Sequence, residues 1–191
     1  MLIIEGTDHV GKTTLAKKLE RRFSAHGFVY QHLSRLTDGF DRYWGYLPLI
    51  RPRVVQDRLF LSEIAYASAR GESSEATLPP EYLRLLNAHK HLVGGFTVLI
   101  TCNDYLLTSR YAKEENQEHQ MYKTPIVIAA NKAFMCLPAQ LIEPGYHIHL
   151  TKDRPWPSED QLEEIVQEYT RLQNILGGLA SRNPSLRKLT L

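Results

Sequence analysis

Cysteine is nearly missing from this chain: Cys102 and Cys136 are the only two in 191 residues. Two thiols cannot build a disulfide scaffold or a four-ligand zinc framework. Each sits among apolar neighbours, so both are expected to be buried. Long apolar runs are missing too. No stretch approaches the roughly 20 apolar residues of a membrane-spanning helix, and the apolar opening Met1–Ile4 is far too short for a secretory leader. A cytoplasmic protein with no membrane partner is expected. Charge of one sign is scarce, because 23 Lys+Arg against 21 Asp+Glu leave a net +2. That value excludes a bulk polycation but leaves room for a local basic patch. Repeats and low-complexity linkers are absent, so 1–191 reads as a single domain able to bury one core. The histidines do not converge: His147 and His149 share one strand face without a third ligand, and no structural zinc is expected.

What is present alternates between strand and helix. Leu2–Glu5 is a short apolar run that ends at a glycine loop, as a buried parallel strand does. From Lys12 to about His26, Leu15, Leu19 and Phe23 recur every four positions and mark one helical stripe, stopped by Gly27. Further strands are expected at Phe28–Leu33, Arg53–Gln56, Phe96–Cys102 and Tyr146–Thr151. Helices are expected from Asp57 to about Arg70, and from Pro79-Pro80 to Gly94-Gly95. Ser158 and Gln161 form a capping box before a last helix through about Leu176. Such alternation predicts an α/β fold, a five-stranded parallel sheet flanked by helices, with a ligand crevice at the strands' carboxyl ends. Asn103–Pro138, polar first and apolar later, reads as a mobile flap followed by a packed helix.

The first glycine loop carries the clearest chemistry. Gly6-Thr7-Asp8-His9-Val10-Gly11-Lys12-Thr13 satisfies G-x-x-x-x-G-K-[ST], followed by Thr14. Glycines let backbone N–H groups curl around phosphate oxygens without Cβ clashes, and the following helix aims its positive end at the same oxygens. Lys12 is expected to reach the β- and γ-phosphates and Thr13 to place its hydroxyl on Mg²⁺. A GTPase is disfavoured. Asn131-Lys132-Ala133-Phe134 has phenylalanine where guanine reading needs an aspartate, and Asp57-Arg58-Leu59-Phe60 is not D-x-x-G.

Asp57-Arg58 follows the third apolar run, at the sheet edge where the phosphate loop also lies. An aspartate there can hold Mg²⁺ or take a proton from an acceptor hydroxyl. An arginine there can grip an acceptor phosphate or stabilise charge on the moving phosphoryl group.

Glu5–Thr14 and the set Asp57, Arg58, Ser62, Ala65 and Tyr66 together resemble the thymidylate kinase branch of nucleoside monophosphate kinases. That family carries E-G-x-D-x-x-G-K-[ST]-T and D-R-x-x-x-S-x-x-A-Y. The resemblance implies a P-loop kinase fold, ATP with Mg²⁺, Asp8 facing the acceptor sugar, Arg58 meeting the reacting phosphates, and Ser62 and Tyr66 lining the acceptor site. Departures accompany it. His32-Leu33-Ser34-Arg35 stands where the family has R-E-P, and Ala67-Ser68 follows Tyr66 in place of the family's glutamine. Residues 34–52 are much shorter than the helical cap that closes over a free monophosphate. In these respects the chain is similar to bacteriophage relatives that phosphorylate 5-hydroxymethyluracil within DNA, in the host cytoplasm, on a base turned out of the stack.

Around that short cap, Arg35, Arg42, Arg51 and Arg53 alternate with Phe40, Tyr43, Trp44 and Tyr46, the residue types against which nucleotides pair and stack. Arg35, Arg42 and Arg51 are the candidate acceptor cations. Phe40, Trp44 and Leu47 at helical spacing equally suit a small core stripe. The probable lid, 103–123, contains Arg110, Lys113 and Lys123, with Arg110 the preferred cation for the transferring phosphate. The expected reaction is transfer of the ATP γ-phosphate to a pyrimidine nucleotide acceptor. Lys12, Asp57, Arg58, Asp8 and Arg110 form the catalytic set, and Thr13 and Asp57 hold the metal. The acceptor is free or within DNA, a homodimer is admitted, and a regulatory ATPase without an acceptor is the alternative from another class.

Overall fold

The computed structural model describes residues 1–33, 45–72, 78–114 and 124–182, with only the backbone at 111–114, 180 and 182. Its centre is built from the most continuously apolar segments. Strand β1 (Leu2–Gly6) and strand β4 (Phe96–Cys102) are buried along their whole length, as strands covered on both faces must be. Beside β1 lies β3 (Val54–Asp57), also fully buried, and the edges are β2 (Val29–His32) and β5 (Gly145–Leu150), whose patterns are more exposed. All pairings are parallel, in the order β2-β3-β1-β4-β5. The third strand runs one residue beyond its expected end, which carries Asp57 into the sheet opposite Ile4.

Side-chain alternation along β1 divides the core in two. Leu2 and Ile4 join Leu15 and Leu19 of α1 (Lys12–Arg22) with Leu162, Ile165 and Tyr169 of the last helix. Ile3 faces the other way, toward Phe60 and Ala65 of α2 (Phe60–Ala69) and Leu86 of α3 (Pro80–Leu92). Helix α4 (Asp104–Glu114) follows β4. Helix α5 (Thr124–Met135) contributes Val127 to the first cluster and Ala130 and Phe134 to the second. Of the expected flap, 104–114 is therefore helical, and 115–123 lies outside the described residues.

Element ends follow local chemistry. The first helix stops before His26, because its last turn tightens into a 3₁₀ turn, Ser24–His26, that Gly27 closes at φ 74°. The short α6 (Ala139–Ile142) precedes β5. Helix α7 (Glu159–Arg182) begins with the expected box: Gln161 N–H donates to Ser158 Oγ at 3.2 Å and Ser158 N–H to Gln161 Oε1 at 3.0 Å. It continues past Leu176 through Gly177 and Gly178, so those glycines do not end it. Cys102 is buried as expected but Cys136 is exposed. It lies just past α5 beside exposed Met135, while Phe134 takes the inward position. Within the expected acceptor cap, Phe40, Tyr43 and Trp44 lie outside the described residues, whereas Tyr46 and Ile50 pack into the second core cluster.

One buried cation pins α3 to the segment before β5. Lys90, 0% exposed, donates from Nζ to the carbonyls of Leu141 at 2.8 Å and Glu143 at 2.9 Å. Burial lowers its pKa from 10.5 to about 8. Lys90→Met leaves those carbonyls without a donor and is expected to lower unfolding stability by about 1–3 kcal/mol, read from urea denaturation at pH 7.

Candidate active site

The loop between β1 and α1 has the backbone of an anion nest. Gly6 has φ 142°, His9 62° and Gly11 88°. Alternation of this kind turns successive N–H groups inward. At Gly6 nothing larger fits: a Cβ would lie 2.2 Å from the Ile100 carbonyl oxygen of β4. Val10, wholly buried, anchors the loop in the first core cluster. Lys12 is 5% exposed and its ammonium donates back to the Thr7 carbonyl. Burial lowers its pKa from 10.5 to about 8, against the opposing pull of Asp57 and Glu5. Thr13 and Thr14 lie exposed at the start of α1.

Beside the loop, Asp57 occupies a site prepared for positive charge. Its carboxylate is fully buried, and Oδ2 accepts the Thr13 hydroxyl at 2.6 Å and the Tyr30 hydroxyl at 3.1 Å. His32 Nδ1 lies 3.1 Å from the same oxygen. Oδ1 is buried without a hydrogen-bond partner. A buried carboxylate oxygen left over, next to a threonine hydroxyl at a helix N-terminus, is the oxygen donor set that Mg²⁺ takes in nucleotide sites. The residues present therefore fit a magnesium–triphosphate, with Thr13 and Asp57 as its holders and the Gly6–Thr14 amides as its cradle. Tyr30 and His32 were not singled out by their spacing. Only the pairing of His32 with Asp57 across β2 and β3 reveals them.

A second cluster joins Asp8 to the end of β3. Arg58 Nη2 pairs with Asp8 Oδ1, and the Tyr66 hydroxyl donates to Asp8 Oδ2 at 3.0 Å while accepting the Asp8 N–H at 3.1 Å. Arg58 has φ 70°, a conformation L residues rarely adopt, and strain of this kind collects at functional sites. Its Nε is buried without a hydrogen-bond partner. Asp8, Arg58 and Tyr66 are thus brought together. Ser62 has a different partner. The residue is 8% exposed, and its hydroxyl donates to Glu5 Oε2 at 2.5 Å. Arg51 has a different partner as well, Gln31 Oε1 at 3.1 Å. Arg35, Arg42 and Lys123 lie outside the described residues, and the Lys113 side chain is not described.

Arg110 reaches the loop from α4, but through backbone groups. Its Nη1 donates to the His9 carbonyl at 2.7 Å and its Nη2 to the Pro155 carbonyl, with the guanidinium 3.9 Å over the Trp156 ring. Trp156, 56% exposed, is a residue the sequence did not mark. It stands against Gly11, where a Cβ would lie 3.2 Å from the indole. A cavity of about 180 Å³ opens there, lined by Gly11, Thr14, Lys18, Trp156 and Pro157.

Glu5, which ends the first apolar run and matches the family loop, is fully buried. Burial raises its pKa from 4.5 to about 7, against hydrogen bonds from Ser62 and Leu59 and the charges of Lys12 and Arg58. Between those two values the folded chain holds a proton that the unfolded chain has released, so stability falls as pH rises through that window. Glu5→Gln should flatten this slope, measured as urea midpoints from pH 4.5 to 7.5.

No protein-family model matches the sequence, and no curated protein does. Solved structures do match. The YorR protein of Bacillus subtilis, crystallised in complex with phosphorylated GDP, superimposes with a TM-score of 0.62 at 15% identity. The match covers 86% of this chain and 92% of YorR. That likeness shows that the chain shares the fold of YorR, an α/β fold with a five-stranded, all-parallel sheet flanked by helices and a glycine loop after β1.

Proposed function

We propose that this protein is an ATP-dependent kinase that transfers the γ-phosphate to a pyrimidine nucleotide acceptor, in the manner of thymidylate kinases. The observation that carries this reading is that two separate residues of one phosphate loop, Thr13 and Asp8, are each held by a cluster from the neighbouring strand and helix. Asp57 with Thr13 lies on the donor side, and Asp8 with Arg58 and Tyr66 on the acceptor side. A loop that only switched on nucleotide binding would need no second cluster. YorR's bound phosphorylated GDP agrees with nucleotide chemistry on this fold.

Bound Mg²⁺ would neutralise charge on the β- and γ-phosphates, held by Thr13 and Asp57. The remaining work belongs to side chains on the page. The loop amides and Lys12 hold and neutralise the triphosphate, Lys12 leaving the Thr7 carbonyl for a phosphate oxygen. Trp156 and Arg110 offer a flat face and a cation for the donor base beside Gly11. Arg58 clamps the reacting phosphates, and Asp8 and Tyr66 orient the acceptor sugar.

The acceptor has two readings. A free deoxynucleoside monophosphate is the first. The second is the hydroxymethyl group of 5-hydroxymethyluracil within DNA, favoured by the brevity of residues 33–53 between β2 and β3. So short a connection encloses a free nucleotide less and admits a base protruding from a polymer.

With γ-labelled ATP, label is expected on thymidine monophosphate or 5-hydroxymethyl-deoxyuridine monophosphate under the first reading. Label retained on hydroxymethyluracil-containing duplex, with none on ordinary duplex, supports the second. Release as inorganic phosphate alone contradicts both. Lys12→Ala is expected to lower turnover about 10²–10³-fold. Asp57→Ala should weaken Mn²⁺ binding to the protein–nucleotide complex, read by electron paramagnetic resonance independently of turnover.

A further inference from the structure

Glu5 stands immediately before the phosphate loop, at the end of a strand whose side chains are otherwise apolar. It is 0% exposed and makes three contacts with one neighbouring element. Oε1 accepts the Leu59 N–H at 2.9 Å and the Leu61 N–H at 3.2 Å, and Oε2 accepts the Ser62 hydroxyl at 2.5 Å. These donors form the N-terminal turn of α2, whose own N-cap residue, Leu59, supplies no side-chain cap. The free N–H groups of a helix start need an acceptor, and a carboxylate there is also favoured by the helix dipole. Here the acceptor comes from a different strand.

The turn that Glu5 holds begins with Arg58, in its left-handed conformation, and leads through one helical turn to Tyr66. Those two residues grip Asp8, which lies three positions after Glu5. The loop and α2 are thus tied twice, once by the largely buried Asp8 and once by the fully buried Glu5. From this geometry we propose that Glu5 is a positioning residue for phosphoryl transfer, a buried strut that sets Arg58 and Tyr66 at a fixed distance from the phosphate loop.

The inference rests on the kinase reading and adds a residue to it. It also gives Ser62 a different role from the one the resemblance implies. The Ser62 hydroxyl completes the strut and does not touch the acceptor. Lys12 and Arg58 face the same carboxyl group from the loop and from the turn, so once it ionises, above about pH 7, its charge also offsets theirs in the interior.

The test compares Glu5→Gln, Glu5→Ala, Ser62→Ala and the Glu5→Gln/Ser62→Ala double variant, using whichever acceptor the wild type phosphorylates. A misplacement on the order of 1 Å costs about 10²-fold, so Glu5→Ala is expected to lower kcat by that factor. KM for ATP should stay within about threefold, because the amide nest remains whole. Glutamine keeps one carbonyl oxygen for the two N–H groups and should recover part of the loss. The Gln and Ser62→Ala effects on kcat should be non-additive, since residues acting as one unit couple. Circular dichroism checks folding, and if Glu5→Ala does not fold, the Gln and Ser62 variants carry the test. Full kcat in folded Glu5→Gln and Ser62→Ala overturns the strut, as do additive losses. A raised acceptor KM with unchanged kcat in Ser62→Ala returns that residue to the acceptor site and overturns the strut too. A wild type that moves phosphate to no acceptor sinks the kinase reading itself, and the strut with it.

Discussion

Everything at the candidate site depends on β1 and β3 lying side by side in parallel, with Ile4 opposite Asp57. Parallel pairing brings both strands to their carboxyl ends at the same height, so the turns that leave them must share one small space. The first turn curls into the amide nest, and the second becomes Arg58 and the start of α2. Arg58 N–H donates to the Ile4 carbonyl at 2.9 Å, extending the ladder into the site itself. Had the register slipped by one residue, Asp57 would have pointed to the opposite face, away from Thr13.

That confinement explains the electrostatics. A chain with a net charge of +2 buries Glu5, Lys12 and Asp57 within a few residues of one another in space. Isolated, any of these charges would be expelled from the interior at a cost of several kcal/mol. Together they compensate. Glu5 has the α2 amides and Ser62, Asp57 has Thr13, Tyr30 and His32, and Lys12 feels both carboxylates. Compensation is incomplete at Asp57 Oδ1 and Arg58 Nε. Hydrogen-bonding capacity is thus left over beside the loop, on one carboxylate oxygen and one guanidinium nitrogen.

The Gly11 side of the loop is organised from farther away in the chain. Arg110 on α4, Trp156 after β5 and Gly11 in the loop meet through a stacked guanidinium and two backbone carbonyls. This contact ties α4 to the phosphate loop, and its side chains surround the cavity next to Thr14 and Lys18. Arg110 therefore holds the loop's shape as directly as it could hold a phosphate.

By itself the sequence determined whatever depends on near neighbours. Short apolar runs located the strands, a period-four stripe and Pro, Gly and capping signals located most helices, and the spacing of Gly6, Gly11, Lys12 and Thr13 announced a phosphate loop, because nest and helix start are both local. The Ser158–Gln161 box was legible for the same reason. Helix ends were less so: the first helix tightens into a 3₁₀ turn and the last runs through two glycines, since packing overrides propensity there. The tertiary structure alone decided who partners whom. His32 beside Asp57, Trp156 beneath Arg110, and Ser62 bound to Glu5 are contacts between residues 25 or more apart in sequence. They exist because parallel strands bring distant segments to one edge, and no local pattern encodes which side chains then meet.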